Sequence, residues 1–412
     1  MSLIQKLYIK LLKDFTINKI KYIFFIFLFS PLLIFILIIR PIILFRFGNL
    51  GVQRIGSISL AEQYLLNKIN NKKKINLIDI WVTDNLVCNK QLLKIYKRNF
   101  LIIDGLFTFY KVLKLISKFI PIFSKHIIII SDQYDTNNLF NKYNSQIKLT
   151  KDEIKDGEIM LKEFSIPRNA KIVCITFRDN LYLKKKYPSK NLQYHNYRDT
   201  NVNNYIPAIK ALIKKNFYVV RMGRIANKRI KIKNKKFIDY PFHPLKNDFM
   251  DFFFAHKCYF WICNNMGLDE VAKVFRKPLL DSNMAPLIGL KVTSKNSLLS
   301  LKIHKNKTNK KMSLSEIFDS GVANTFTSTG FGKKKIKLYE LKAHQGKDLV
   351  LEMVYWVNNS WKIKKNSDQK LKKKFDKLFL TKIKNIDAQC NYKNVSATYS
   401  LTFLRKNPWF LK

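Results

Sequence analysis

Acidic residues are scarce in this chain: 28 Asp and Glu stand against 76 Lys and Arg in 412 residues, a formal charge of +48. Lys, Asn and Ile are all abundant, as an A/T-rich coding sequence produces, but that bias raises Glu along with Lys. The deficit is therefore a property of the protein and points to an anionic partner: a membrane surface, a charged polymer, nucleic acid or a phosphorylated substrate. Cysteine pairs are missing as well. Cys88, Cys174, Cys258, Cys263 and Cys390 are scattered, odd in number and without a Cys-x-x-Cys, which argues against a disulfide framework. Six histidines show no zinc spacing, so no structural metal is expected. No basic stretch interleaves aromatics as RNA-reading sheets do, so no specific nucleic-acid partner is expected. What is present is core material: 47 % hydrophobic and 14 % aromatic residues, over a length that suits two domains with appendages.

The longest apolar run is YIFFIFLFSPLLIFILII, Tyr22 to Ile39, with Lys19 and Lys21 before it and Arg40 and Arg46 after it. About 18 uncharged residues is near the minimum for crossing the hydrocarbon layer. A small-residue cleavage site is absent, so the segment is expected to be retained. Pro31 at its middle favours a bend, which leaves a single crossing and a helix that dips into one leaflet as the two membrane models, beside the bland alternative of a buried hairpin of the soluble domain. Positive flanks on both sides favour attachment to anionic cytoplasmic lipid.

Beyond residue 40, apolar runs alternate with amphipathic segments. Strands are expected at 41–48, 75–82, 99–104 and 126–131, with helices at 57–69, 89–98 and 106–119. A helix at 150–164 begins with Thr150 and Glu153 in capping-box spacing, and Ile166-Pro167 ends it. The second α/β unit runs through strands at 171–177, 217–221, 237–240, 258–263 and 278–282, with helices at 202–215 and 247–256. The resulting organisation is a membrane segment at 1–40, one α/β domain at 41–166, a second at 167–330, and a mostly helical basic tail at 331–412 that packs back on the core. Parallel sheets of this kind bind ligands at the carboxyl ends of their strands.

Three of those strand ends carry chemistry. Strand 171–177 runs into Arg178-Asp179-Asn180, and strand 217–221 ends in Arg221-Met222-Gly223-Arg224. Strand 258–263 opens a turn, CNNMGLDEVAKVFRKPLL, in which Gly267 permits close backbone approach and a short helix follows. Helix amides favour a diphosphate, arginine suits bidentate phosphate contact, and Asp269 and Glu270 suit ribose or sugar hydroxyls. The bland alternative is that acids in a first helical turn only complement its dipole.

The segments VCITFRDNLYL, YHNYRDTNVNNYIPAIKALIKKNFYVVRMGR, KFIDYPF, DFMDFFFAHKCYF, GLDEVAKVFRKPLL and RIGSISLAEQYL resemble a bacterial glycosyltransferase family, itself similar to the metal-independent enzymes with two Rossmann domains facing a cleft (GT-B-like). The resemblance covers about residues 50–330 and is densest from 170 to 290. It implies transfer of a sugar from a nucleotide-sugar donor to a lipid-linked or cell-surface glycan acceptor, with no cofactor and no metal. It assigns the donor to the C-terminal domain: Arg178, Arg221, Gly223, Arg224 and Gly267 toward the diphosphate, with Asp269 and Glu270 toward ribose or sugar. Arg54 and Gly56 fall on the acceptor side. Asp179 is the first candidate for a general base, with Asp132 and Asp84 as others. Ser57 stands where the resemblance leads one to expect a histidine, and NNMGLDE departs from Ser-Gly-Pro-Asp-Glu. Those departures motivate an alternative, a degenerate relative that binds anionic glycan or lipid without catalysis. The absence of any Asp-x-Asp triplet agrees with charge stabilisation by arginines and amides rather than by a bound cation. The implied location is the membrane, with the catalytic part facing the cytoplasm.

Overall fold

The structure, a computed structural model, describes residues 23–71, 76–130, 134–189, 191–264, 266–386 and 390–412. It divides into two compact units. The first holds the described residues up to Arg54 and those from Asn71 to 130; the second holds 55–70 and everything described from 134 on.

In the first unit, β1 (Leu44–Asn49) and β2 (Leu77–Val82) pair in parallel. Their register sets Arg46 opposite Asp79, and the two side chains form an ion pair at 2.8 Å. Gly48 is required here because a Cβ would meet the Trp81 ring at 2.6 Å. The strands expected at 99–104 and 126–131 shrink to single parallel bridges, Trp81 to Ile102 and Phe47 to Ile127. On one side, Gly105 at φ +89° turns the chain away directly after the Ile103 amide has bonded to Trp81 O. Helix Lys90–Asn99 starts on Asn89, whose side chain accepts from the Leu92 amide at 3.0 Å. Residues 23–38 are helical and join the core of this unit. Among the described residues no helix is long and apolar enough to cross a membrane. Tyr22, Lys19 and Lys21 lie outside them.

The second unit is built on seven parallel strands. In chain order they are β3 (Ile172–Ile175), β4 (Tyr218–Arg221), β5 (Phe237–Asp239), β6 (Phe260–Cys263), β7 (Leu279–Met284) and β8 (Ser297–Leu301), joined by β11 (Thr398–Tyr399). A short antiparallel pair, β9 (Ile303–Lys305) and β10 (Lys337–Tyr339), stands apart from that sheet. Across the sheet the order is β11-β8-β7-β6-β3-β4-β5. The chain thus lays down three strands outward from β3, returns, and lays down the others in the opposite direction from β6. This is the doubly wound Rossmann order with one strand added. Four-residue strands such as IVCI and FWIC are fully buried, as continuous apolar runs in a parallel sheet must be.

Two expected boundaries are corrected. Residues 134–166 belong to the second unit, not the first. The reason is packing: helix Lys151–Glu163, opened by the expected Thr150/Glu153 capping box, presents Gly157 to Phe253 so closely that a Cβ would fall 2.0 Å from the ring. The segment at 331–412 is no appendage either, because it supplies β11. Its helix Ala343–Asn358 carries buried Glu352, which accepts from Ser400 Oγ at 2.6 Å and from the Leu401 amide at 2.8 Å, fixing the chain just past that strand.

Candidate functional site

In a doubly wound sheet, the connections leaving the two strands on either side of the reversal diverge, and a crevice opens outside their carboxyl ends. Here those strands are β3 and β6. Trp261, fully buried in β6, donates from Nε1 to Thr176 Oγ1 at 3.1 Å and holds the end of β3. Asn264, directly after β6, accepts from the Arg178 amide at 3.1 Å and donates to Arg198 O at 3.1 Å and Thr200 Oγ1 at 2.8 Å. One buried amide side chain therefore ties three chain segments at the switch point.

The arginines expected to grip phosphate divide into two kinds. Arg178 is buried, and its guanidinium donates to His195 O at 2.9 Å and pairs with Asp199. Arg221 is buried too, donating to Lys228 O at 2.7 Å and pairing with Asp239 at 3.2 Å; the register of β4 and β5 sets the two residues opposite each other. Both charges are engaged inside the fold, because a buried guanidinium without partners would be prohibitively costly. These two residues shape the rim rather than present charge to it. Arg224 differs: its side chain is 57 % exposed and pairs with Asp248 at 3.5 Å. Gly223, at φ +142°, occupies a conformation that side-chain-bearing residues rarely adopt.

Asp179 joins the ends of β3 and β4. Its Oδ1 accepts from the Leu181 amide and its Oδ2 from the Asn227 amide, each at 3.0 Å. A carboxylate has about four lone-pair positions, so two amide bonds order the group and leave acceptor capacity. Asp84, in the first unit, accepts from the Leu86 amide at 3.0 Å; Asp132 lies outside the described residues.

Gly267 has a role that the sequence did not disclose. A Cβ on it would come 3.2 Å from Gly56 N, and a Cβ on Gly56 would come 3.0 Å from Gly267 Cα. The two glycines are needed for each other, backbone against backbone. This contact joins the start of helix Ser57–Asn71 to the turn before Asp269–Val274, both within the second unit. Gly56, expected on the acceptor side, thus sits with the donor-side residues, while Arg54 is exposed and belongs to the first unit.

The acidic pair splits. Asp269 is fully buried and receives Lys291 Nζ at 2.6 Å; Asp281, equally buried, receives the same ammonium at 3.3 Å and the Lys291 amide at 3.0 Å. Burial works against the charge on Lys291, but these carboxylates outweigh it and hold the ammonium well above its usual range. Asp269 is therefore not available to a ribose hydroxyl. Glu270 keeps a partly exposed side chain, 3.7 Å from both Lys273 and Lys291. Burial raises its carboxyl, yet those lysines and a hydrogen bond from Ser59 prevail and keep it below the usual carboxylate range.

An open depression of about 550 Å³ lies in the same unit, lined by Asn191, Gln193, Tyr194, Asn196, Ser328 and Thr329. His195, whose carbonyl takes Arg178, falls within its wall segment. Sequence reasoning quoted this stretch but assigned it nothing. Lys291 also escaped notice, since one lysine among so many carries no signal.

No protein-family model and no curated sequence matches the chain. Among solved structures it is similar to the Escherichia coli ADP-heptose LPS heptosyltransferase II, at 12 % identity and TM-score 0.35, covering 62 % of this chain and 90 % of that one. It is also similar to a glycosyl transferase family 9 protein from Veillonella parvula, at 9 % identity and TM-score 0.43, covering 74 % and 97 %.

Proposed function

We propose that the chain is a glycosyltransferase that moves a sugar from a nucleotide-sugar donor to a lipid-linked or cell-surface glycan acceptor, without a metal ion, in surface polysaccharide biosynthesis at the cytoplasmic face of a membrane. The observation that carries it is convergence. Two of the segments bearing the glycosyltransferase resemblance, the one with Arg178 and the one with Arg198 and Thr200, meet at the switch point of a Rossmann-ordered sheet, tied by Asn264.

In this reading Arg224 contacts the donor diphosphate and Gly223 lets the backbone approach it. Glu270, kept ionised, accepts from a ribose or sugar hydroxyl. Arg178 and Arg221 are positioning residues. Asp179 accepts the proton of the acceptor hydroxyl as the glycosidic bond forms, and the departing diphosphate keeps the bonding electron pair. Its charge is stabilised by arginine and backbone amides aimed at it. The open depression at Tyr194 has the volume of a small-molecule site, and in this reading it takes the nucleoside.

A second reading, a non-catalytic relative that binds anionic glycan or lipid, is favoured by Asp269 being closed off by Lys291 and by Ser57 in the place of histidine. Thermal stabilisation separates the two. Common nucleotide sugars and nucleoside diphosphates are expected to raise the unfolding temperature of the wild type, and Arg224→Ala to weaken that response about tenfold or more, the loss of one charge-assisted contact. No response to any of them, alongside retained binding of anionic glycan, would establish the second reading.

A further inference from the structure

The helix at 23–38 is apolar on every side. Its inner face, with Phe25, Phe29, Leu33 and Ile36, packs into the core of the first unit, where Phe29 meets Phe109 edge-on at 5.4 Å between ring centres. Its outer face presents Phe24, Phe27, Leu28, Ile34, Phe35 and Ile38 to the surroundings, each more than half exposed and Phe27 at 81 %. A helix hydrophobic all round must find an apolar medium on both sides, and the described residues supply it on one.

The charge of the unit names the other. Its described residues include three acids, Asp79, Asp84 and Asp104, against eleven Lys and Arg. Asp79 is already paired with Arg46 and Asp104 with Lys97. Phe119, 77 % exposed, and Ile120 follow Lys118 directly, an apolar tip beside a cation. Exposed apolar surface on a unit with a net excess of positive charge is complementary to anionic lipid.

We propose that this face is a one-leaflet docking surface: the helix lies along the membrane, inner side on the protein and outer side among acyl chains of an anionic bilayer. Crossing the bilayer would require the inner face of the helix to leave its packed core. This docking is independent of glycosyl transfer and stands if that reading fails.

The test is flotation of the full chain with vesicles of phosphatidylcholine alone or with phosphatidylglycerol. The wild type is expected to float with the anionic vesicles and to retain part of that binding at high salt, because acyl-chain contact is not screened. Phe24→Asp/Phe27→Asp is expected to lose binding by about tenfold or more, with Trp81 fluorescence unchanged to show that the unit still folds. Depth quenching by brominated lipid of Phe24→Trp, Leu28→Trp and Ile38→Trp is expected to give one common depth. Absence of binding to either vesicle, or a double variant that binds like the wild type, overturns the proposal. So does a graded depth along the three positions, which indicates a crossing. A dimer that the double variant dissolves would assign the face to a second copy. Binding that appears only after removal of residues 1–22 would assign it to the chain's own beginning.

Discussion

Replacing Lys291 by methionine removes the cation that pairs with both Asp269 and Asp281. The ammonium lies 2.6 Å from the first carboxylate and 3.3 Å from the second, and neither carboxylate is exposed at all. Breaking a buried ionic group by deleting one partner costs about 3–5 kcal/mol, mostly from the charge left behind. Two carboxylates would remain here, so the upper half of that range is expected. Burial already raises the Asp269 carboxyl and Lys291 opposes that rise, so in the variant its folded pKa would lie further above the unfolded one. Stability would then recover as pH falls through the raised value and be lowest at neutral pH. Urea unfolding followed by tryptophan fluorescence reads this directly, since Trp261, Trp356, Trp361 and Trp409 all lie in the second unit. Adding Asp269→Asn to Lys291→Met should restore part of the loss at pH 7. A loss below about 1 kcal/mol, with the same value at pH 7 and pH 5, would refute the account of this cluster as a buried ionic lock.

Other outcomes follow from the same structure. His304 is buried, and its pKa is lowered to about 4 mainly by that burial; protonation of the unfolded chain below about pH 6.5 should therefore erode stability, by about 2 kcal/mol at pH 5, and His304→Asn should flatten that part of the profile. Gly56→Ala and Gly267→Ala should each cost about 1–3 kcal/mol by overpacking, and in a double-mutant cycle their costs should be non-additive, because one contact is disturbed twice. Gly157→Ala should destabilise by about 1–3 kcal/mol, as read by thermal melts, although alanine is the better helix former, because the Phe253 ring occupies the space. Thr150→Ala should cost about 1 kcal/mol through loss of the cap to the Glu153 amide.

Alternation of buried apolar runs with amphipathic segments was enough to locate most elements of the second unit, because a parallel strand buried on both faces needs a continuous apolar run and its covering helix needs a periodic one. The Thr150 capping box and the Asn247 cap before Asp248–Lys257 depend on neighbours three residues apart, and such local chemistry is legible in one dimension. The strand order is not: only the hydrogen-bonded sheet sets β3 beside β6 and makes Asn264 the tie across the switch point. Side-chain partners are equally invisible, since the charge of Arg178 or Arg221 is the same whether it faces a ligand or, as here, Asp199 or Asp239. Gly56 and Gly267 look like two independent turn glycines until folding brings residues 211 apart in sequence into backbone contact. Local periodicity and capping determined which segments are helix or strand. Pairing across long sequence separation decided which charges are buried, which glycines are obligatory and where the crevice lies, because those depend on distances that no local pattern encodes.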